Sequence, residues 1–283
     1  MMAATFVDAS GVPVTLPAPP RRIVSLIPSI TELLFALGLG EAVVGRTVYC
    51  TQPADGVATK TRIGGEKNPK LALIRELSPD LVVANVEENV KEHIATLRAW
   101  GIPVYVTYPR TVAEGIRLIR ELGDVAGAVE RATEIADALE AQLQETRRHA
   151  DHARVRVFCP IWRNPYMTIN QDTYMHDVLA TCGGDNVFAG LPRRYPEVTP
   201  ADVAREGPDV ILLPDEPFHF RRAHLADFGA FPEIPALRSG RVHLVDGKLL
   251  SWYGPRIGRA LVELPAMLHG EGPANRGAGA ASR

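Results

Sequence analysis

The chain has 283 residues, with 31 Lys and Arg against 33 Asp and Glu, and this near-neutral mixture leaves no basic footprint for nucleic acid or an anionic membrane surface. Its length accommodates two domains of ordinary size. Three scattered cysteines, Cys50, Cys159 and Cys182, make neither a disulfide framework nor a C-x-x-C metal pair, and no apolar run approaches the roughly 20 residues that a membrane-spanning helix needs.

The opening MMAATFVDASGVPVTLPAPPRR lacks a basic segment followed by an apolar core. That argues against a secretory signal and predicts a cytoplasmic location for the chain as given; a trimmed signal would place it in the periplasm or at the cell surface. The apolar strand IVSLI (23–27) then runs into the helical PSITELLFALGLG. Ser29 and Glu32 have the S-x-x-E spacing of a capping box, so a helix start is expected directly at a strand end. SPDLVVAN (78–85) and WGIPVYV (100–106) read as further buried strands, with Trp100 expected in the core.

From Ala128 to Arg156 the sequence contains no Pro or Gly. Val129, Ala132, Ile135, Ala136, Leu139 and Leu143 recur at three- and four-residue spacing, the pattern of an amphipathic helix. At about 1.5 Å per residue, some 24 helical residues span roughly 36 Å, which predicts a strut rather than a flexible linker.

The second half repeats the first. VRVFCPI (155–161) precedes a helix ending ATCGGDNVFAG, then come GPDVILLP (207–214) and SGRVHLV (239–245). A Pro-Asp pair stands before the third strand of both halves. Strand-like runs alternating with helical stretches predict an α/β fold of two similar lobes with mainly parallel sheets joined by one long helix. The expected division is an N-terminal lobe over 1–127, a connecting helix over 128–154 and a C-terminal lobe over 155–269. The Gly- and Ala-rich 270–283 reads as a disordered tail.

Open α/β sheets bind ligands beyond the carboxyl ends of their strands, so the residues that follow each strand are the candidates. In the first half these are Tyr49, Asn85, Glu87, Glu88 and Tyr108; in the second they are Trp162, Arg163, Tyr166, Glu216, Phe218, His219, Trp252, Tyr253 and Arg256. Trp offers a broad apolar face with one donor, suited to a flat macrocycle, and Trp162 and Trp252 are expected to face the ligand. Arg256 offers a planar fork for carboxylates or phosphates, or else caps local structure. Glu87 and Glu216 occupy equivalent places in the halves, where they can coordinate a cation, accept from ligand amides, or stand at a helix N-terminus. Of the eight His, none forms a tight ligand spacing such as H-x-x-x-H, so no metal site is expected. His176 is read as a packed or capping residue, and His219 as the better placed for a cofactor contact.

The order of RRIVSLIPSITELLFALGLGEAVVG, NPKLALIRELSPDLVVAN, GIPVYV, TYMHDVLATCGGDNVFAG and LSWYGPR resembles the helical-backbone class of solute-binding proteins that capture vitamin B12, siderophores and haem for ABC importers. The likeness runs from about residue 12 to 268. It implies a ligand held in a cleft between two lobes, with the Ser29 helix start facing that cleft or serving as a simple cap. In the vitamin B12 binders of that family a surface Glu on each lobe meets arginines of the permease. The equivalent positions here are Ala72 and Ala201, with Asp202 beside the second, so docking on an ABC permease in the usual way is not expected.

The resulting expectation is a binding protein for a metal chelate, a corrinoid first and haem or an iron siderophore next, with no cofactor of its own. G-x-S-x-G, H-E-x-x-H, P-loop and dinucleotide fingerprints are absent from the sequence. A cytoplasmic carrier or sensor of the same ligand is the alternative. A tetrapyrrole metal chelatase, also built of two α/β lobes, is a third reading, disfavoured because the first strands run into PSIT and WRNP without a His to take pyrrole protons.

Overall fold

A computed structural model describes residues 3–150 and 154–270. The chain divides into two compact units. The first takes the chain up to Pro109, Ala113–Leu139 and Trp252–Pro255; the second takes Arg110–Val112, Glu140–Ser251 and the chain from Arg256.

In the first unit, Ala4–Val7 (β1) and Pro13–Leu16 (β2) form an antiparallel hairpin. Then follow Ile23–Ser25 (β3), Pro28–Ala36 (α1), Val43–Arg46 (β4), Ala54–Ala58 (α2), Thr61–Arg62 (β5), Leu71–Glu76 (α3), Leu81–Asn85 (β6), Lys91–Ala99 (α4), Val104–Thr107 (β7), Val112–Ala126 (α5) and Val129–Ala150 (α6), of which the residues from Glu140 onward belong to the second unit. The five strands β3 to β7 make one parallel sheet in the order β5-β4-β3-β6-β7. All residues of β3 and β6 are buried, as expected for strands covered on both faces.

The second unit contains Val155–Phe158 (β8), Tyr166–Met167 (β9), Tyr174–Thr181 (α7), Gly184–Asn186 (β10), Glu197–Val198 (β11), Pro200–Glu206 (α8), Val210–Pro214 (β12), Pro235–Ser239 (α9), Val242–Val245 (β13), Lys248–Ser251 (α10) and Arg256–His269 (α11). Its parallel sheet has the order β10-β8-β12-β13. Phe158, Phe220, Phe228, Ile211, Leu213 and Ile234 form the centre of its core. The α/β class with two parallel-sheet lobes is therefore the observed one.

The Pro-Asp pairs have a physical reason. Asp80 accepts the backbone N–H groups of Arg21 and Arg22 at 2.8 and 2.9 Å, just ahead of β3. Asp209 accepts the Arg156 N–H at 3.2 Å within β8. In each unit the carboxylate ahead of one strand thus pins the strand beside it.

Three expectations need correction. The helix α1 begins at Pro28 with Ile27 as its N-cap and no side-chain cap, because Pro at the first helical position presets φ and has no N–H to satisfy. Ser29 lies inside the helix and is buried, so it forms no capping box. Trp100 is 38% exposed rather than core; it follows the end of α4, and the Arg75 guanidinium sits 5.2 Å from its ring centroid. On α6 the buried stripe runs through Ala132, Ala136, Leu139 and Leu143, but Val129 at the start of the helix is exposed. The expected end of this helix near 154 and the expected disorder beyond 270 fall on residues 151–153 and 271–283, outside the described residues.

Candidate functional site

Both sheets grow outward in two directions from their first parallel strand. In the first unit the chain fills β4 and β5 on one side of β3, then β6 and β7 on the other; in the second, β10 flanks β8 on one side and β12 and β13 lie on the other. The switch points therefore lie at the carboxyl ends of β3 and β6, and of β8 and β12, where doubly wound sheets open a crevice.

The chain itself closes the switch point of the first unit. Asn85, the last residue of β6, donates from Nδ2 to the Tyr253 hydroxyl at 2.8 Å and to Thr107 Oγ1 at 3.3 Å. Its Oδ1 accepts the Glu87 and Glu88 N–H groups at 2.8 and 3.3 Å. Ser29 and Thr107 also hydrogen-bond the Tyr253 phenol, and burial pushes the pKa of that phenol up. Asn85, Ser29, Trp252 and Tyr253 are all buried. The segment Trp252–Pro255 belongs to the first unit although it follows the last strand of the second. Gly254 has φ of +94° and packs 3.3 Å from Leu33 measured to an added Cβ, so a side chain there is strained by its backbone and crowded by the helix α1.

The large hydrophobic residues that the first unit leaves exposed near its strand ends include Tyr49, three residues beyond β4, with its neighbour Val48, and Val86 directly after β6. Val48 and Val86 were absent from the candidate set, because a lone valine after a strand carries no chemical signal. Glu87 is half-buried, its carbonyl accepting Lys67 Nζ. Glu88 is exposed and Tyr108 half-buried.

The second unit presents aromatic surface instead. Trp162 lies four residues beyond β8 and Phe218 four beyond β12, two neighbouring strands. Their rings meet edge to face at 5.7 Å and 71°, an arrangement favoured by the ring quadrupoles. Trp162 is 44% exposed. It is held on a tight hairpin, exchanging backbone hydrogen bonds with Met167 at 3.1 and 3.4 Å. The turn passes through Asn164 at φ of +62°, a conformation that Asn tolerates better than most residues. Beneath this pair, Phe220 lies 4.7 Å from Phe218, and Tyr166 stacks on Phe220 at 6.1 Å and 18°.

Arg163 is turned to Asp227 in a two-point salt bridge, Nε to Oδ2 at 2.6 Å and Nη2 to Oδ1 at 2.9 Å. The buried Tyr166 hydroxyl donates to the same Oδ2 at 2.8 Å. The Arg163 guanidinium, aided by Tyr166 and opposed by partial burial, holds the Asp227 pKa below the usual carboxylate value. Asp227 lies 64 residues beyond Arg163 in the chain, and no motif singled it out. Glu216 is half-buried and pairs with Lys248 Nζ at 3.5 Å and Ser251 Oγ at 3.3 Å. A Cβ on Gly247 would come within 2.8 Å of the Glu216 carbonyl oxygen, so this close approach requires glycine. Arg256 is buried, with Nη1 3.7 Å from Asp246 Oδ2. His219 is exposed. His176 gives its backbone N–H to the Thr173 N-cap of α7, and burial lowers its ring pKa. Among the described residues no group of three or more His, Cys, Asp or Glu side chains is placed to hold a metal ion.

Two doubly wound parallel units with candidate binding groups at their strand ends define the class of two-lobed solute-binding proteins. The chain belongs to the periplasmic binding protein family, whose model matches residues 23–249. It is similar to the periplasmic vitamin B12-binding protein of Vibrio cholerae, whose crystal structure aligns with a TM-score of 0.77 at 26% identity over 89% of this chain and 97% of that one. The periplasmic haem-binding protein of Roseiflexus sp. RS-1 aligns with a TM-score of 0.77 at 27% identity, over 88% and 98% of the two chains. An uncharacterised ABC transporter substrate-binding lipoprotein of Bacillus subtilis is 28% identical over 274 residues, 94% of this chain and 85% of its own length.

The family overturns the cytoplasmic location expected from the opening residues. Its members named here are periplasmic proteins and a lipoprotein of ABC transport, and the alternative of a cytoplasmic carrier or sensor has no support among them. Among the described residues no helix is long and apolar enough to cross a membrane.

Proposed function

We propose that this protein is the extracytoplasmic binding component of an ABC importer and that its cargo is a metal chelate, a corrinoid foremost, with haem or an iron siderophore next. The observation that carries this reading is the Trp162–Phe218 pair over the switch point of the second sheet. It is a half-exposed aromatic shelf where doubly wound folds take their ligands. The relatives that bind vitamin B12 and haem agree with a flat macrocyclic cargo. On the second unit Trp162, Arg163, Phe218 and His219 are the proposed contacts, with Tyr166, Glu216 and Arg256 as the frame behind them; on the first unit Tyr49 and Glu87 are the candidates, with Asn85, Trp252 and Tyr253 as their frame.

The proposed partner is an ABC permease that recognises a surface other than the family's paired glutamates. Ala72 on α3 and Ala201 on α8 are both exposed and carry no charge. Asp202 is engaged elsewhere: it completes the α8 capping box with Thr199 and pairs with Arg205. These bonds lower its pKa to about 2.

Titrating the purified protein with cyanocobalamin, haemin and a ferric siderophore, followed by calorimetry and absorbance, tests the reading. Saturable one-to-one binding of one of these, cyanocobalamin first, is the expected result. Absence of binding to all three would sink it.

A further inference from the structure

The cations at the strand ends of the second unit are matched by carboxylates of the chain itself. Lys248 faces Glu216 and Asp246, Arg256 faces Asp246, and Arg163 is locked to Asp227. Arg163 differs from the others in position, since it adjoins Trp162 and keeps 27% of its side chain exposed. The edge of its guanidinium formed by Nε and Nη2 is one of the two edges that bind carboxylates through two parallel hydrogen bonds. Here that edge is spent on Asp227.

We propose that Asp227 is a specificity-determining residue: by occupying the Nε–Nη2 edge of Arg163 beside the Trp162 shelf and balancing its charge, it makes the site accept metal chelates whose rim carries neutral amides and reject those whose rim carries carboxylates. The inference rests on the chelate reading above and narrows it to one ligand chemistry. A ligand carboxylate approaching Arg163 meets a guanidinium whose two-point partner is part of the same chain and never diffuses away. It also meets the Asp227 charge, which Tyr166 fixes in place through Oδ2. Rotating Arg163 out to the ligand would leave that carboxylate with the Tyr166 hydroxyl alone, in a partly buried position where an unmatched charge is costly. An amide rim meets no such conflict. Asp227 Oδ1 receives Arg163 Nη2 and, as a carboxylate oxygen, keeps a second lone pair for a ligand N–H.

Two corrins that share a ring and differ in rim charge separate this effect from macrocycle shape: dicyanocobinamide, with amide side chains, and dicyanocobyrinic acid, with carboxylates. By calorimetry, the unaltered protein is expected to bind the amide corrin at least tenfold more tightly. Asp227→Asn removes the competing charge while retaining a side chain of the same size; it is expected to raise affinity for the acid about tenfold and so to narrow the amide-over-acid preference by about the same factor. Adding Arg163→Gln to it should abolish that gain. Arg163→Gln alone, which leaves Asp227 charged and without its cation, should deepen rejection of the acid, and it keeps the test decisive if Asp227→Asn does not fold. Equal binding of the two corrins by the unaltered protein, or a parallel loss of both in Asp227→Asn, would overturn the proposal, the latter indicating structural support alone. An unaltered selectivity in Arg163→Gln would also overturn it. If the unaltered protein binds neither corrin, the corrinoid reading fails and takes this inference with it, whereas binding of the amide corrin with selectivity indifferent to Asp227 refutes the inference alone.

Discussion

Replacing Trp162 with Ala is expected to weaken corrinoid binding between about tenfold and a hundredfold. Trp162 is 44% exposed, which on a side chain of about 250 Å² leaves roughly 110 Å² for a ligand to cover. At ~25 cal/mol per Å² this amounts to ~2.7 kcal/mol if coverage is complete, close to the upper figure, and half coverage lands near the lower one. The edge contact with Phe218 is lost in free and bound protein alike, so it cancels to first order. Calorimetric titration with cyanocobalamin gives the affinity, and circular dichroism and thermal melting establish that the variant is folded. Trp100→Ala is the control: that ring is similarly exposed but sits on the far side of α4 in sequence, against Arg75, and its removal should leave affinity unchanged. An affinity within twofold of the original in a well-folded Trp162→Ala protein would refute the shelf as the binding surface.

Tyr253→Phe should destabilise the protein by about 1–3 kcal/mol in urea denaturation, since the buried Asn85 amide loses its shorter acceptor and keeps only Thr107 at 3.3 Å; an unchanged midpoint would contradict the role given to that hydroxyl. Burial raises the pKa of the phenols of Tyr105, Tyr166 and Tyr253, so above pH 10 the unfolded chain ionises them while the folded one does not. Stability should then fall with rising pH by up to ~1.4 kcal/mol per pH unit for each phenol, and Tyr253→Phe should make the decline shallower; urea midpoints that stay level from pH 9 to 11 would speak against this. Asp80→Ala should cost about 1–2 kcal/mol because two backbone amides lose an anionic acceptor. Asp209→Ala, with one amide at 3.2 Å, should cost less, and the reverse ranking would show that the Pro-Asp carboxylates are not what pins β3 and β8.

The repeat of strand, helix and Pro-Asp along the chain was enough to read the architecture, because burial on both faces forces continuous apolar strands and because the same carboxylate is needed at the same place in both sheets. The cap at Ser29 was misread for a local reason: S-x-x-E competes with a proline one residue earlier, and the proline sets the helix start. Trp100 was misread because the end of an amphipathic helix offers an aromatic ring a charged neighbour as well as a core. At the candidate site, Trp162 and Phe218 were legible from their distance beyond strand ends. Asp227 was not, since its meaning comes from Arg163 in a remote hairpin. Trp252 and Tyr253 were read as ligand-facing members of the second half, but they are buried in the first unit. A residue's distance along the chain from the last strand does not say which crevice it fills.

That displaced segment has a consequence for how the gene can be divided. A fragment ending at the close of the first repeat would translate β3, β6 and β7 without Tyr253, leaving Asn85, Ser29 and Thr107 around a slot with no phenol in it. The complementary fragment would carry a tyrosine with no slot to enter. For all their internal likeness, the halves are not interchangeable cassettes: truncation, module swapping or split-reporter fusions that cut between the repeats should give a first unit that expresses poorly, while a permuted chain that joins Trp252–Pro255 to it restores the missing piece.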